Sequence, residues 1–268
     1  MAPDRPAFRL RAPTLSLLAT FAMVLAAALT VSRGSGAGAR KLTLTWYGQS
    51  AFTLTSPAGT VALMDPVPDK LGYAMPRLRA DLVTVSHEHF DHIALAKADG
   101  EPKVIRGLTA RGNGWTKVEA TVGDVRVRSV GTYHDAKKGR ERGRNAVFVF
   151  ETAGLTVAHL GDLGHLLDAS QRDAIGRVDV LLIPVGGTFT IDAAQAARVV
   201  EQLRPRLVVI PMHFKTKTLA MDLPLATVEP FLQGKPRVRR LKGNSLDVDP
   251  TAPPGGPEVV LLAVAGGG

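Results

Sequence analysis

The chain of 268 residues contains no cysteine. This absence excludes disulfide bonds, thiolate zinc sites, a cysteine nucleophile and lipid attachment to cysteine. Aromatic residues make up only 5% of the sequence, but hydrophobic residues make up 45% and charged residues 21%, so the composition excludes disordered and coiled-coil proteins. Any metal ion must therefore be bound by histidine, aspartate or glutamate side chains.

The formal net charge is +9, of which residues 1–40 contribute +4. The rest of the chain has no long run of lysine or arginine interleaved with aromatic residues, so we predict no nucleic-acid partner. The densest basic stretch covers residues 137–144. It fits either a solvated loop or a surface that steers an anionic small-molecule substrate towards a site.

Residues 1–39 have the pattern of an export signal. Three early arginines precede an uncharged apolar stretch over residues 15–31, and Ala-Gly-Ala at 37–39 resembles a signal peptidase cleavage site. The apolar stretch is just long enough to span a bilayer, so an uncleaved N-terminal membrane anchor is the alternative. We expect an exported protein, periplasmic or extracellular, that contacts a membrane only if this segment remains, with a single functional domain over residues 40–268.

Short runs rich in β-branched and aromatic residues dominate that domain. One helix is predicted over residues 191–203, where apolar residues recur at helical spacing before Pro205. With the runs on either side it forms a strand–helix–strand unit, which predicts parallel neighbouring strands and an α/β sandwich of mixed sheets. Strands are predicted at 42–47, 51–55, 60–64, 81–86, 125–131, 146–151, 155–160, 178–184, 206–211 and 259–264.

Histidine and aspartate residues follow four of the predicted strands. Because catalytic groups of layered α/β folds gather at the carboxyl ends of strands, we expect these side chains to lie at one edge. They are His87, His89, Asp91 and His92 after the strand at 81–86, His134 after 125–131, Asp162 after 155–160, and His213 after 206–211.

These residue types suit two transition metal ions. Neutral imidazole and carboxylate groups bind zinc, manganese and iron, and a tight turn over residues 87–92 can direct two ligands to each of two ions. Two adjacent ions can activate a hydroxide between them, but they need a bridging anion to offset their repulsion. Asp162 is the candidate for that bridge because it lies in a Gly-Asp turn directly after a strand.

The order and spacing of these blocks resemble the metallo-β-lactamase-fold superfamily of binuclear metal hydrolases. The segments WYGQSAF at 46–52, Met-Asp-Pro at 64–66, PVGGTFT at 184–190 and Pro-Met-His at 211–213 resemble most the simple hydrolases related to the ascorbate-phosphate lactonase. Those relatives often have histidine where this chain has Gln49. The resemblance implies an αββα sandwich of two mixed β-sheets flanked by helices. It also implies that the first metal binds His87, His89 and His134, that the second binds Asp91, His92 and His213, and that Asp162 bridges them.

The function implied is that of a metal-dependent hydrolase with two divalent ions, zinc as the first expectation and manganese or iron as alternatives. A hydroxide between the metals would cleave an ester, lactone or phosphoester bond of a small molecule. Asp91, Asp162 and His165 are the candidate catalytic residues, with His165 as a proton donor to the leaving group. The alternative is a metal-loaded binding protein of the same fold without turnover.

Three polar residues near these blocks allow two interpretations each. We expect His159, inside a strand, to be a buried and hydrogen-bonded support more than a ligand. His165 fits a capping role as well as proton donation, and Asp65 fits either a turn cap or a hydrogen-bond partner of a ligand histidine.

Overall fold

A computed structural model describes residues 41–252 and 255–264. The expected signal or anchor segment at 1–39 lies outside the described residues. Within them, no helix has the length and apolarity needed to cross a membrane. The described strands are β1 (Leu42–Trp46), β2 (Phe52–Thr55), β3 (Val61–Met64), β4 (Leu78–Arg79), β5 (Leu82–Val85), β6 (Ala98–Asp99), β7 (Lys103–Arg106), β8 (Glu119–Val122), β9 (Val125–Tyr133), β10 (Arg144–Thr152), β11 (Leu155–His159), β12 (Val180–Pro184), β13 (Val208–Met212), β14 (Val238–Arg240), β15 (Ser245–Val248) and β16 (Glu258–Leu261).

Fourteen of the sixteen described strands form two mixed sheets, which confirms the predicted sandwich, and β4 and β6 pair in parallel as a separate two-stranded sheet. The first sheet has the order β15-β1-β2-β3-β5-β7, and the second has the order β14-β16-β13-β12-β11-β10-β9-β8. Strands β9, β10 and β11 are antiparallel neighbours, whereas β11, β12 and β13 are parallel neighbours. It follows that β9, β11 and β13 all point the same way and end at one edge of the second sheet.

The core lies between the two sheets. In β1 the side chains of Leu42, Leu44 and Trp46 are buried while the intervening threonines are half-buried, which is the alternation of a strand with one covered face. Every residue of β12 and of β13 is buried, because these central strands are covered on both faces.

The helices are α1 (Ala169–Ile175), α2 (Ala193–Leu203) and α3 (Glu229–Leu232), and their buried apolar residues belong to the large core cluster. Helix α2 joins the parallel strands β12 and β13, so the predicted strand–helix–strand unit is confirmed. The helix begins two residues later than predicted. The Asp192 side chain accepts a hydrogen bond from the Gln195 amide at 2.8 Å, and the Gln195 side chain accepts one from the Asp192 amide at 3.1 Å.

A second, smaller apolar cluster covers the other face of the first sheet. It includes Leu63 of β3, Val83 of β5, Leu71 of a 3₁₀ turn (Asp69–Leu71) and Tyr73. Leu219 and Met221 pack against it from a distant loop. In the described part of the chain this covering layer consists of turns, loops and the short strands β4 and β6, and the α-helices contribute none of its residues.

Candidate metal centre

The structure brings the seven candidate ligands together. β9, β11 and β13 end at one edge of the second sheet and deliver side chains there, and β5 of the first sheet delivers the turn at 87–92 to the same place. The ligand atoms form two groups, and within each group they lie within 4.8 Å of one another. One group contains His87, His89 and His134, and the other contains Asp91, His92, Asp162 and His213.

A single oxygen atom connects the two groups. Oδ2 of Asp162 lies 3.1 Å from Nε2 of His134 and 3.7 Å from Nε2 of His87, both in the first group. The same oxygen lies 3.2 Å from Nε2 of His92 and 3.2 Å from Nε2 of His213, in its own group. Four imidazoles from three strand ends therefore surround one buried carboxylate oxygen.

The electrostatics of the cluster favour a bound cation. Burial alone would raise the pKa of Asp162, but the His213 and His92 imidazoliums outweigh it and hold the pKa of this carboxyl well below its usual value. Burial would lower the pKa of His92, but Asp162 and Asp91 outweigh burial and raise that pKa well above its usual value. The carboxylates that hold protons on the imidazoles would hold a metal ion in the same way.

The imidazole of His87 has the opposite character. Burial, followed by the neighbouring His92, lowers the pKa of His87 well below its usual value, so its ring is neutral at pH 7. Burial likewise lowers the pKa of His89. Neutral imidazole is the form that binds metal ions. His87 and His89 therefore need no deprotonation before they bind a cation.

Buried atoms without partners also fit a metal ion. Nε2 of His92 is fully buried and makes no hydrogen bond to any described residue, although it lies 3.2 Å from Asp162 and 3.5 Å from Oδ2 of Asp91. An unpaired buried nitrogen costs about 1–3 kcal/mol, and a metal ion between these atoms would remove that cost. The donor set and its geometry therefore fit the expected ions.

Asp65 fixes the turn at residues 87–92 through contacts with Ser86 and His92. Its carboxylate accepts hydrogen bonds from the Ser86 amide at 2.8 Å and the Ser86 hydroxyl at 2.5 Å, and it lies 2.9 Å from Nδ1 of His92. The Ser86 hydroxyl is also 2.9 Å from Nδ1 of His87. Both rings thus turn their Nε2 atoms towards Asp162. Of the two interpretations of Asp65, the structure supports the hydrogen-bond partner of a ligand histidine.

The Asp162 turn depends on Asn145, which sequence reasoning missed. The Asn145 side chain accepts a hydrogen bond from the Asp162 amide at 2.9 Å and donates to the Leu160 carbonyl at 2.9 Å. Gly161 has φ +53°, and a Cβ atom there would lie 2.4 Å from the Asn145 side-chain oxygen. A lone asparagine near the start of an apolar strand gives no signal of this role in the sequence.

His159 is buried and hydrogen-bonded, as expected. Its Nε2 donates to the Ser50 carbonyl at 2.8 Å, and its Nδ1 accepts from the Gly161 amide at 3.3 Å. Burial lowers the pKa of this imidazole, which keeps it neutral. The ring therefore ties the Asp162 turn to the loop between β1 and β2. The Ser50 hydroxyl donates a hydrogen bond to Oδ1 of Asp162 at 3.3 Å. Ser50 is another residue of the site that the sequence did not indicate.

Gln49 supports the second group. Its side-chain amide donates to Oδ2 of Asp91 at 3.0 Å, and its carbonyl accepts from the His213 amide at 3.1 Å. Gln49, Asp65 and His213 all have positive φ, between +45° and +51°, although none is glycine. Such strained backbone collects at functional sites, where the surrounding contacts maintain it.

A cavity of about 340 Å³ opens beside the cluster. Five of the candidate ligands and Gln49 line it together with four other residues, Phe90, Arg142, Phe189 and Leu223. The structure places His165 elsewhere. Its Nδ1 donates to the Leu166 carbonyl at 2.7 Å and its Nε2 accepts from the Tyr133 amide at 3.0 Å, so both ring nitrogens are bonded to backbone. This geometry fits the capping interpretation of His165 and leaves no free nitrogen for proton donation.

Comparison with known proteins shows the family of this chain. Residues 43–213 match the profile of a family described as the beta-lactamase superfamily domain. A metal-dependent hydrolase of the UPF0173 group from Anaeromyxobacter sp. (strain K) is 36% identical over 237 residues, which cover 75% of this chain and 85% of that protein. A UPF0173 protein from Pyrococcus furiosus is 35% identical over 192 residues, covering 65% of this chain and 83% of the relative.

A solved structure agrees with these relatives. The Thermotoga maritima protein, named as a zinc-dependent hydrolase of the metallo-β-lactamase superfamily, superposes with a TM-score of 0.67 at 36% identity, covering 83% of this chain and 99% of that one. The predicted resemblance to the superfamily is confirmed, whereas the lactonase-like branch stays a prediction. With its fold, its histidine and aspartate cluster and these relatives, the chain belongs to the beta-lactamase superfamily and is a metal-dependent hydrolase.

Proposed function

We propose that this hydrolase binds two divalent transition metal ions and cleaves an ester, lactone or phosphoester bond of a small molecule. The position of Asp162 Oδ2, within 3.7 Å of four imidazole nitrogens from both ligand groups, carries the proposal. A carboxylate in this position can be shared by two ions. His87, His89 and His134 would hold one, Asp91, His92 and His213 would hold the other, and Asp162 would contact both.

When bound, two such ions supply Lewis acidity, which activates water at neutral pH and stabilises negative charge on a substrate oxygen. The residues of the chain would supply charged ligands and hold them in position. Asp91 and Asp162 stay ionised, because their imidazole neighbours outweigh burial and hold the pKa of both carboxyls below the usual value. Asp65, Asn145 and Gln49 keep the ligands oriented through hydrogen bonds. Zinc is the first expectation, since imidazole and carboxylate ligands suit it well.

The test combines metal analysis with an assay of Asp162→Asn. The change keeps the size of the side chain but removes its charge, so we expect the bound metal to fall from about two equivalents per chain and kcat/KM to fall about 100-fold or more. Asp173→Asn, the same substitution at an exposed position of α1, is the matched control and should change neither value.

The assay panel contains 4-nitrophenyl esters, lactones and phosphodiesters. Full hydrolysis by Asp162→Asn, or by metal-free protein, would contradict the mechanism. A fully metal-loaded wild-type protein that turns over none of the panel would instead support the alternative, a metal-loaded binding protein of the same fold.

We also propose that the protein is exported. The arginines, apolar stretch and Ala-Gly-Ala sequence of residues 1–39 support this proposal. N-terminal sequencing of full-length protein from fractionated bacterial cells tests it, and we expect a mature chain that begins at Arg40 in the periplasmic fraction. Membrane-bound protein that keeps residues 1–39 would indicate an anchor, and uncleaved protein in the cytoplasmic fraction would contradict export.

A further inference from the structure

The cavity beside the metal centre combines one permanent positive charge with an apolar wall. Arg142 is the sole lysine or arginine among the described residues that line it. Phe90, Phe189 and Leu223 supply the apolar surface. A ligand that fills this cavity therefore contacts candidate metal ligands, a carbon surface and a guanidinium.

The loop that carries Arg142 has a fixed conformation. The Asp135 carboxylate accepts four backbone hydrogen bonds, from the amides of Lys137 at 2.7 Å, Gly139 at 3.0 Å, Glu141 at 3.0 Å and Arg142 at 2.7 Å. Because the Arg142 amide is one of these four donors, the start of its side chain is held directly. Such preorganisation reduces the entropy lost when a ligand binds.

Among the described residues, the guanidinium of Arg142 has a single ion-pair partner, Glu141. Its nearest acidic atom is Oε2 of Glu141 at 3.6 Å, beyond hydrogen-bond distance, and the other Glu141 oxygen is bonded to Lys137 Nζ at 2.5 Å. The guanidinium carbon lies 5.8 Å from the centre of the Phe189 ring, and the side chain is 34% exposed. Its N–H groups make no hydrogen bond to a described residue, so they can bind a ligand.

The apolar wall is also held in place. Thr188 has φ +57°, and its hydroxyl donates to the Pro224 carbonyl at 2.6 Å. This bond connects the loop of Phe189 to the loop of Leu223. The Phe90 ring is held by a cation–π contact, since the Lys70 ammonium lies 3.7 Å from its centre. Three separate loops therefore form one stable concave surface.

We propose that Arg142 is a specificity-determining residue that binds a carboxylate on the substrate, remote from the bond that is cleaved. The planar guanidinium forms two parallel hydrogen bonds with a carboxylate. With a single positive charge at this point, a monoanion is matched better than a phosphate dianion. The apolar wall holds the carbon chain between the carboxylate and the reacting group. The cleavage step rests on the proposed function, whereas binding needs only the cavity.

Binding is tested first, without turnover. Titration calorimetry compares 5-phenylvalerate with its neutral amide, 5-phenylvaleramide, on the metal-loaded full chain. We expect wild-type protein to bind the carboxylate about tenfold to hundredfold more tightly. Arg142→Gln should remove this preference and Arg142→Lys should restore part of it. Arg198→Gln, on an exposed site of α2, is the matched control and should keep it.

Equal binding of the two ligands by wild-type protein would overturn the proposal. So would an undiminished carboxylate preference in Arg142→Gln, because the preference would then come from the metal ions. The second measurement compares mono(4-nitrophenyl) glutarate with 4-nitrophenyl valerate, which have acyl chains of equal length. Arg142→Gln should lower kcat/KM for the glutarate alone, mainly through KM. If no ester, lactone or phosphodiester of the panel is hydrolysed but the calorimetric preference depends on Arg142, the proposed function fails and carboxylate binding by Arg142 stands.

Discussion

Several polar side chains near the Asp162 turn hold the backbone of the site in place instead of offering ligand atoms. Asn145 bonds the Asp162 turn, and His159 joins that turn to the Ser50 loop. His165 has the same character, because both of its ring nitrogens are bonded to backbone atoms. The sequence placed His165 near the cluster, but its orientation depends on the Tyr133 amide, a contact 32 residues away along the chain.

Replacement of His165 by phenylalanine should therefore lower stability and leave the chemistry intact. Loss of two hydrogen bonds to backbone should cost about 1–3 kcal/mol in unfolding free energy, measured by urea denaturation. Turnover of mono(4-nitrophenyl) glutarate should keep its kcat and its pH profile. A drop in kcat of about 100-fold or more, with the loss of one limb of the pH profile, would instead show that His165 donates a proton.

Among the helices and strands, capping explains where α1 and α2 begin. Both have aspartate at the N-cap and glutamine three residues later, at Asp168 with Gln171 and at Asp192 with Gln195. Helix α1 was not predicted, since its seven residues are too few for a clear apolar period. Edge strands β8 and β14 were not predicted because they lack a buried apolar face. The residues of β14 are all exposed, and those of β8 alternate between exposed and half-buried.

Asp192→Ala should destabilise the protein by about 1 kcal/mol, because the Gln195 amide loses its acceptor at the start of α2. The measurement is the midpoint of urea unfolding at constant slope. Asp173→Ala, inside α1 and exposed, is the control and should shift the midpoint much less. An equal shift in the two variants would show that the cap contributes nothing specific.

For the whole molecule, one acidic side chain joins the two sheets at the end of the sandwich. Asp124, in the turn between β8 and β9, accepts hydrogen bonds from the hydroxyls of Ser56 and Thr60 at 2.6 Å each, and from Thr152 at 3.0 Å. Ser56 and Thr60 belong to the turn between β2 and β3 of the first sheet. Burial would raise the pKa of Asp124, but these hydroxyl groups outweigh it and lower the pKa below its ordinary value of 3.8.

This lowered pKa predicts a loss of stability in acid. A carboxyl with a lower pKa in the folded state contributes stability above its unfolded value, and the contribution is lost as pH falls through the folded value. We therefore expect wild-type protein to lose stability below about pH 4 more steeply than Asp124→Asn. Thermal unfolding between pH 3 and pH 7 measures the difference. Parallel curves for the two proteins would contradict a role for Asp124 in joining the sheets.

Local patterns were enough to predict the mixed-sheet sandwich, most central strands and the candidate ligands, because strand periodicity and the spacing of His87 to His92 are properties of neighbouring residues. Distances between remote segments depend on packing. The sharing of one Asp162 oxygen by four imidazoles, the direction of His165 and the exposure of Arg142 to the cavity follow from hydrogen bonds that connect separate strands and from the Asp135 contacts that shape one loop. These bonds form only once both sheets have packed, so no short stretch of the chain encodes them.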